Sequence, residues 1–176
     1  CFLFLHSLSH CMKYQSIFRP GLFDKQVIIV TGGGSGIGRC TAHELSALGA
    51  RLALVGRKID KLNAVAQEIS DVGGTASVHV CDIREEEVVA QTISDILKTH
   101  GRIDGLVNNA GGQFPSPLSQ IKAKGWDAVV RNNLTGGFIF MREVYNRWME
   151  ANGGAIVNII ADIWHGWPEF AHSGAA

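Results

Sequence analysis

The residues best suited to chemistry by type and spacing are the glycines at 32, 33, 34, 36 and 38, set around Ser35 and Ile37. Glycines spaced in this way let a backbone approach a pyrophosphate closely, and a helix that follows them offers unpaired N–H groups and a positive dipole end to the phosphate charge. A second candidate is Gly56-Arg57-Lys58. A carboxylate there would hydrogen-bond the ribose hydroxyls of NAD and repel the extra phosphate of NADP, whereas the guanidinium of Arg57 binds that phosphate. NADP is therefore expected over NAD, with Lys58 assisting; the alternative for Arg57 is a solvated surface charge. Further on, Asp162 and His165 suit an acid/base pair, and Trp164 and Trp167 suit the wall of an apolar channel. Their spacing is nonspecific, and a loop with local tryptophan packing, supported by Pro168, is the plainer reading. His6, His10 and Cys11 have the types and helical spacing of zinc ligands, but in this leader they read as accidental and no metal site is expected.

These groups need elements to place them. Val27-Ile28-Ile29-Val30 is an apolar, β-branched run too short for a typical helix, and it reads as a strand leading through the glycine turn into a helix at Arg39 to Leu45. Arg51 to Val55 is a second buried strand, and Leu62, Val65, Ala66 and Ile69 then recur at helical spacing until Gly73-Gly74. Ala76 to Val80 alternates into a third strand before Cys81-Asp82-Ile83. The next helix runs from Glu85 towards His100, with acidic residues in its first turn to match the dipole. Gly105 to Asn108 is the fourth strand, Pro115-Ser116-Pro117 lies in a loop, and helical periodicity returns from Trp126 to Glu150. Gly153-Gly154 leads into a fifth strand, Ala155 to Ile160. Strands alternating with helices predict an α/β fold, a doubly wound parallel sheet with right-handed crossovers and ligands at the carboxyl ends of its strands. The turns at Gly32, Gly56, Asp82 and Asn109 all follow strands, so they share one edge of that sheet.

The chain of 176 residues is 46% hydrophobic with a formal net charge of zero, enough for one sizeable core but not two domains. Balanced charge without a basic block gives no support for nucleic-acid binding, and no membrane span is expected. The four cysteines, Cys1, Cys11, Cys40 and Cys81, lack metal-finger or redox-pair spacing, which suits reduced thiols in a cytoplasmic setting. Residues 1–22 read as a leader in which Met12 is the better start and residues before it are upstream sequence. The folded unit is expected over 23–176.

Thr31-Gly32-x-x-x-Gly36-x-Gly38, Asn108-Asn109-Ala110-Gly111 and Asn132-Asn133-Leu134-x-Gly136, in that order, resemble the short-chain dehydrogenase/reductase family from Phe23 to the end of the chain. The resemblance implies a Rossmann-type fold with a nicotinamide cofactor. By it, Gly32, Ser35, Gly36, Ile37 and Gly38 surround the cofactor phosphates, Asp82 and Ile83 flank adenine, and Asn109, with Ala110 and Gly111, lies beside the adenine ribose. The stretch from Asn108 to Gly111 also braces the central sheet.

The catalytic end departs from the family, in which a tyrosine and lysine one helical turn apart and a serine after the fifth strand handle the proton while nicotinamide moves the hydride. Asn133 matches the family's asparagine, which supports a water and lysine relay; the alternative is a polar residue interrupting a helix. The serine region reads Asn158-Ile159-Ile160-Ala161-Asp162, and Ile160 and Ala161 carry no hydroxyl. Neither Tyr14 nor Tyr145 is followed by lysine four positions on. The expectation is the amino-terminal part of a longer enzyme, its sheet incomplete at the carboxyl end and its activity poor at this length. Ile156 to Ile160, together with His172-Ser173-Gly174-Ala175-Ala176, resembles the peroxisomal-type trans-2-enoyl-CoA and 2,4-dienoyl-CoA reductases, which implies an acyl-CoA substrate. Reduction of an activated C=C bond puts hydride on carbon and leaves charge on the thioester oxygen, so a carbonyl-directed arrangement need not be kept unchanged. Ser173 places a hydroxyl near the expected tyrosine position, and its alternative role is to cap a helix. Two other functions stay open: an alcohol or ketone dehydrogenase, including one for terpenoids, and a non-catalytic nucleotide-binding protein. The family implies a homo-oligomer built through long helices, and a peroxisomal address at the native carboxyl terminus is the alternative to a cytoplasmic location.

Overall fold

A computed structural model describes residues 16–162 and 164–176. His6, His10, Cys11, Met12 and Tyr14 lie outside the described residues, and the expectations placed on them are not addressed by it.

Five parallel strands form one sheet in the order β3-β2-β1-β4-β5: β1 Val27–Thr31, β2 Arg51–Gly56, β3 Thr75–Val80, β4 Gly105–Asn108 and β5 Ala155–Asn158. Between them run α1 Gly36–Ala47, α2 Ile59–Asp71 and α3 Glu86–His100. After β4, a short turn of helix at Leu118–Gln120 precedes α4 Ala123–Val130, α5 Gly136–Val144 and α6 Glu150–Asn152. These three join end to end through wider π-helical turns at Arg131–Thr135 and Tyr145–Met149. A final short helix, α7, spans Ala171–Ala175. The helix expected from Trp126 to Glu150 is present in this longer, interrupted form.

Alternation along each strand builds two cores. Ile28, Val30, Leu52, Leu54 and Val107 face Leu62, Val65 and Ile69 of α2, with Ala42 of α1. Ile29, Ala53, Val55 and Leu106 face Val89, Ile93 and Ile96 of α3, with Phe140 and Val144 of α5. Because helices cover both faces, β1 is apolar and buried at every position up to Thr31, which accounts for its uninterrupted run. Val27 pairs with Arg51 and Thr31 with Val55 on one side, while Ile28 pairs with Gly105 on the other. From β1 the chain builds outward to β3 and then returns to place β4 on the opposite side of β1. The gap between the carboxyl ends of β1 and β4 is the topological switch point of such a sheet.

Two boundaries differ from expectation. The first helix begins at Gly36 rather than Arg39, because the last glycines of the turn already belong to its first turn. The fifth strand ends at Asn158 instead of Ile160: its partner β4 stops at Asn108, whose carbonyl takes the Ile159 N–H at 2.9 Å, and the ladder has no further rung. Among the described residues, β5 has one neighbour, β4, and all four of its residues are exposed. Among the described residues, no helix is long and apolar enough to cross a membrane.

Candidate functional site

Thr31 closes β1 and ties it to the loop after β4. Its hydroxyl accepts the N–H groups of Asn109 at 2.9 Å and Ala110 at 3.0 Å and donates to the Val107 carbonyl at 3.3 Å. Asn109 answers with its side-chain N–H, which donates to the Thr31 carbonyl at 2.9 Å. The glycine turn is packed onto this joint. A Cβ at Gly38 would stand 2.4 Å from the Gly32 carbonyl oxygen and 2.5 Å from Asn109 Nδ2, so only glycine fits. Gly32 adopts φ of 67°, in the left-handed region, while its N–H donates to the Val55 carbonyl at 2.8 Å. Ser35 precedes α1 without a side-chain hydrogen bond to it. The first N–H groups of α1 are thus left for an anion.

A cavity of about 410 Å³ opens above this turn. Gly32, Ser35 and Ile37 line it from β1 and α1; Arg57 and Lys58 from the end of β2; Asp82 and Ile83 from the end of β3; and Asn109, Ala110 and Gly111 from the end of β4. Gly36 and Gly38, in the first turn of α1, are not among the residues that line it; Gly38 packs instead against Gly32 and Asn109. Asp82 accepts from Arg84 Nε at 2.8 Å and from the Arg84 backbone N–H at 3.1 Å. The Arg84 guanidinium, with smaller help from Arg57, holds the Asp82 carboxyl down at about 2, so it is an anion throughout the physiological range. Beside it, burial pushes the Cys81 thiol up from its ordinary value, which keeps it uncharged. The bare glycine cradle, the open helix end and the cations at the rim fit a dinucleotide. Lys61 also lines the cavity, and neither its type nor its spacing marks it in the sequence; Asn132, in the lining too, belongs to the Asn132-Asn133-Leu134-x-Gly136 motif, from which the sequence assigns it no role of its own. Thr31 belongs to the motif, but its role as a clamp depends on a strand 76 positions away.

A second cavity, of about 640 Å³, shares Asn109, Ala110 and Gly111 with the first. Its apolar walls include Leu134, Phe138, Met141, Ile159, Ile160 and Trp164, and Asn133, Asn158 and Ser173 supply polar groups. Asn133 sits in the π-helical turn, where its amide accepts the Gly112 N–H at 2.8 Å and donates to the Gly112 carbonyl at 3.0 Å. It therefore both interrupts the helix and fixes the loop between the cavities. Asn108 donates to Asn158 Oδ1 at 3.0 Å and to the Gly137 carbonyl at 3.2 Å, bracing β4 against β5 and α5. Ser173 lies inside α7, whose capping position is Phe170, so it is not a helix cap. Its hydroxyl is buried without a hydrogen-bond partner, as is Nε2 of the neighbouring His172, whose ring meets Phe114 edge-on at 4.6 Å.

No hydrogen bond or ion pair joins Asp162 to His165; both are exposed, and Asp162 instead accepts the Trp164 N–H at 3.2 Å. Trp164 reaches the second cavity while 91% exposed, whereas Trp167 stacks on Phe170 at 4.3 Å. Among the described residues, no three His, Cys, Asp or Glu side chains gather where they could hold a metal ion.

The family model for short chain dehydrogenases matches residues 26–172. A peroxisomal 2,4-dienoyl-CoA reductase of Danio rerio is 33% identical over 169 residues, which cover 94% of this chain and 56% of that protein. A glucose 1-dehydrogenase of Gluconobacter oxydans (strain 621H) is 40% identical over 139 residues, 77% of this chain and 52% of that one. Among solved structures, a citronellol catabolism dehydrogenase of Pseudomonas aeruginosa PAO1 superposes with a TM-score of 0.89 at 60% identity, covering 92% of this chain and 66% of its own. The chain thus spans between about half and two-thirds of the length of these relatives.

Proposed function

The chain belongs to the short-chain dehydrogenase/reductase family, and on that premise we propose that it transfers hydride between NADP(H) and an apolar, acyclic substrate with an oxygen function at one end, foremost an unsaturated acyl-CoA thioester. The observation that carries this reading is the second, largely apolar cavity, which meets the nucleotide cavity along Asn109, Ala110 and Gly111. When bound, the nicotinamide cofactor supplies the hydride. The protein's part is to hold and orient. The backbone at Gly32, Ser35 and Ile37 takes the pyrophosphate at the start of α1, Asp82 and Ile83 flank adenine, and Arg57 with Lys58 meets the 2′-phosphate.

On the substrate side, reducing a C=C bond conjugated to a thioester builds negative charge on the thioester oxygen. Ser173 offers a buried hydroxyl free to donate to that oxygen, in a wall where Ile160 and Ala161 have none. Asn133 keeps the Gly112 loop in place so that the two ligands meet. Resemblance to 2,4-dienoyl-CoA reductases supports the thioester as substrate.

A second reading, oxidation of a branched terpenoid alcohol, is favoured by the 60% identity to the citronellol catabolism dehydrogenase. NADPH absorbance followed with 2-enoyl- and 2,4-dienoyl-CoA, and NADP⁺ reduction followed with citronellol-type alcohols, separates the two. NADPH consumption that depends on the thioester is expected. Turnover confined to the alcohols would replace the first reading with the second.

A further inference from the structure

Gly34 has a role that the pyrophosphate does not explain. A Cβ on it would lie 3.0 Å from Lys61 Cβ and 3.3 Å from the Lys61 carbonyl carbon, so the absence of a side chain lets the first turn of α2 press directly against the glycine turn. That contact brings Lys61 to the rim of the nucleotide cavity, beside Arg57 and Lys58. Among the described residues, none of these three cations is in a salt bridge. Nearby Arg39 and Arg84, by contrast, are neutralised by Glu68 and Asp82. Three cations outside salt bridges, of which Arg57 also acts at longer range on Asp82, focus positive potential at that rim. All three follow the end of β2, whereas the N–H groups that would receive a pyrophosphate belong to the start of α1.

Resting on the nucleotide reading above, we infer that Lys61 is a determinant of cofactor choice: its ammonium group binds the 2′-phosphate of NADP together with Arg57, and Gly34 is glycine so that Lys61 can reach it. Arg57 supplies a planar, bidentate fork, and Lys61 adds a point charge beside it at the same rim. The glycine run thereby serves two phosphates, Gly32 and Gly38 through the backbone and Gly34 by admitting a side chain from the next helix.

Calorimetric titration with NADP, NAD, adenosine 2′,5′-bisphosphate and 5′-AMP tests this on the wild type and on Arg57→Ala, Lys61→Met and Lys61→Arg. Methionine keeps the unbranched stem against Gly34 and removes only the charge. Lys61→Met is expected to weaken NADP and the bisphosphate by about tenfold, as for loss of one charged hydrogen bond, with NAD and 5′-AMP unchanged. Lys61→Arg is expected to restore most of the loss. Equal weakening of NADP and NAD would make Lys61 a packing residue and overturn the inference, as would no weakening at all. Selective loss of NADP in Arg57→Ala but not in Lys61→Met would overturn the inference and leave the cofactor reading standing. A wild type that takes up neither dinucleotide would defeat both.

Discussion

Thr31 makes three hydrogen bonds through a single oxygen, two of them to backbone N–H groups in a loop far along the chain. Replacing it with valine keeps the shape and leaves those N–H groups without their acceptor, at a cost of about 2 kcal/mol. Thr31→Val is therefore expected to lower the urea midpoint and to weaken dinucleotide binding, with Thr31→Ser close to wild type in both assays. The glycines and Arg57 can be picked out in the sequence because what marks them is local, a backbone without side chains or one charge at the end of one strand, and Asp82 and Asn109 can be picked out through the family resemblance; the fold brings Gly32, Arg57, Asp82 and Asn109 to one cavity. The roles of Thr31 and Lys61 cannot be read in this way, since each acts on a group that only the fold brings near. Asn133 lies between these cases. Its identity can be read from its motif, but its bond to Gly112 depends on where the loop after β4 returns.

Among the elements, the pairing of β3 with α3 carries a pH dependence. His79 on β3 and His100 at the end of α3 each bring Nε2 to 2.8 Å from Ser77 Oγ. Burial disfavours the imidazolium at both positions and lowers both pKa values. The charge of His100 adds to the effect on His79 and Asp95 opposes it, while Arg51 adds to the effect on His100. The unfolded chain, titrating near the ordinary histidine value, then holds more protons than the folded one as the medium is acidified, so stability is complete above that value and declines below it. Between about pH 7 and 5, wild-type unfolding free energy is expected to fall more steeply than that of the His79→Gln, His100→Gln double variant, as read from urea titrations at each pH. The long helix is an element that periodicity shows only in outline. Apolar spacing from Trp126 to Glu150 marks its existence, but the two π-helical turns leave no compositional trace, since each comes from a local change of hydrogen-bond register.

For the molecule as a whole, the parallel sheet is legible because helices on both faces require strands with unbroken apolar interiors, and β1 from Val27 to Val30 and β2 from Leu52 to Val55 have them. β5 is apolar too, at Ile156 and Val157, but it forms an edge among the described strands, as the expected incompleteness of the sheet implies, with Val157 53% exposed. An apolar strand with one side open is a template for another chain. The 176-residue chain is expected to self-associate in light scattering, and Val157→Lys to reduce that scattering while leaving NADP affinity unchanged; unaltered scattering would place the contact elsewhere. At the carboxyl end of the neighbouring β4, Asn109, Ala110 and Gly111 line both cavities and form a partition that the two share. Two occupants leaning on one partition are thermodynamically linked: whatever factor the first contributes to the affinity of the second, the second returns to the first, whichever arrives earlier.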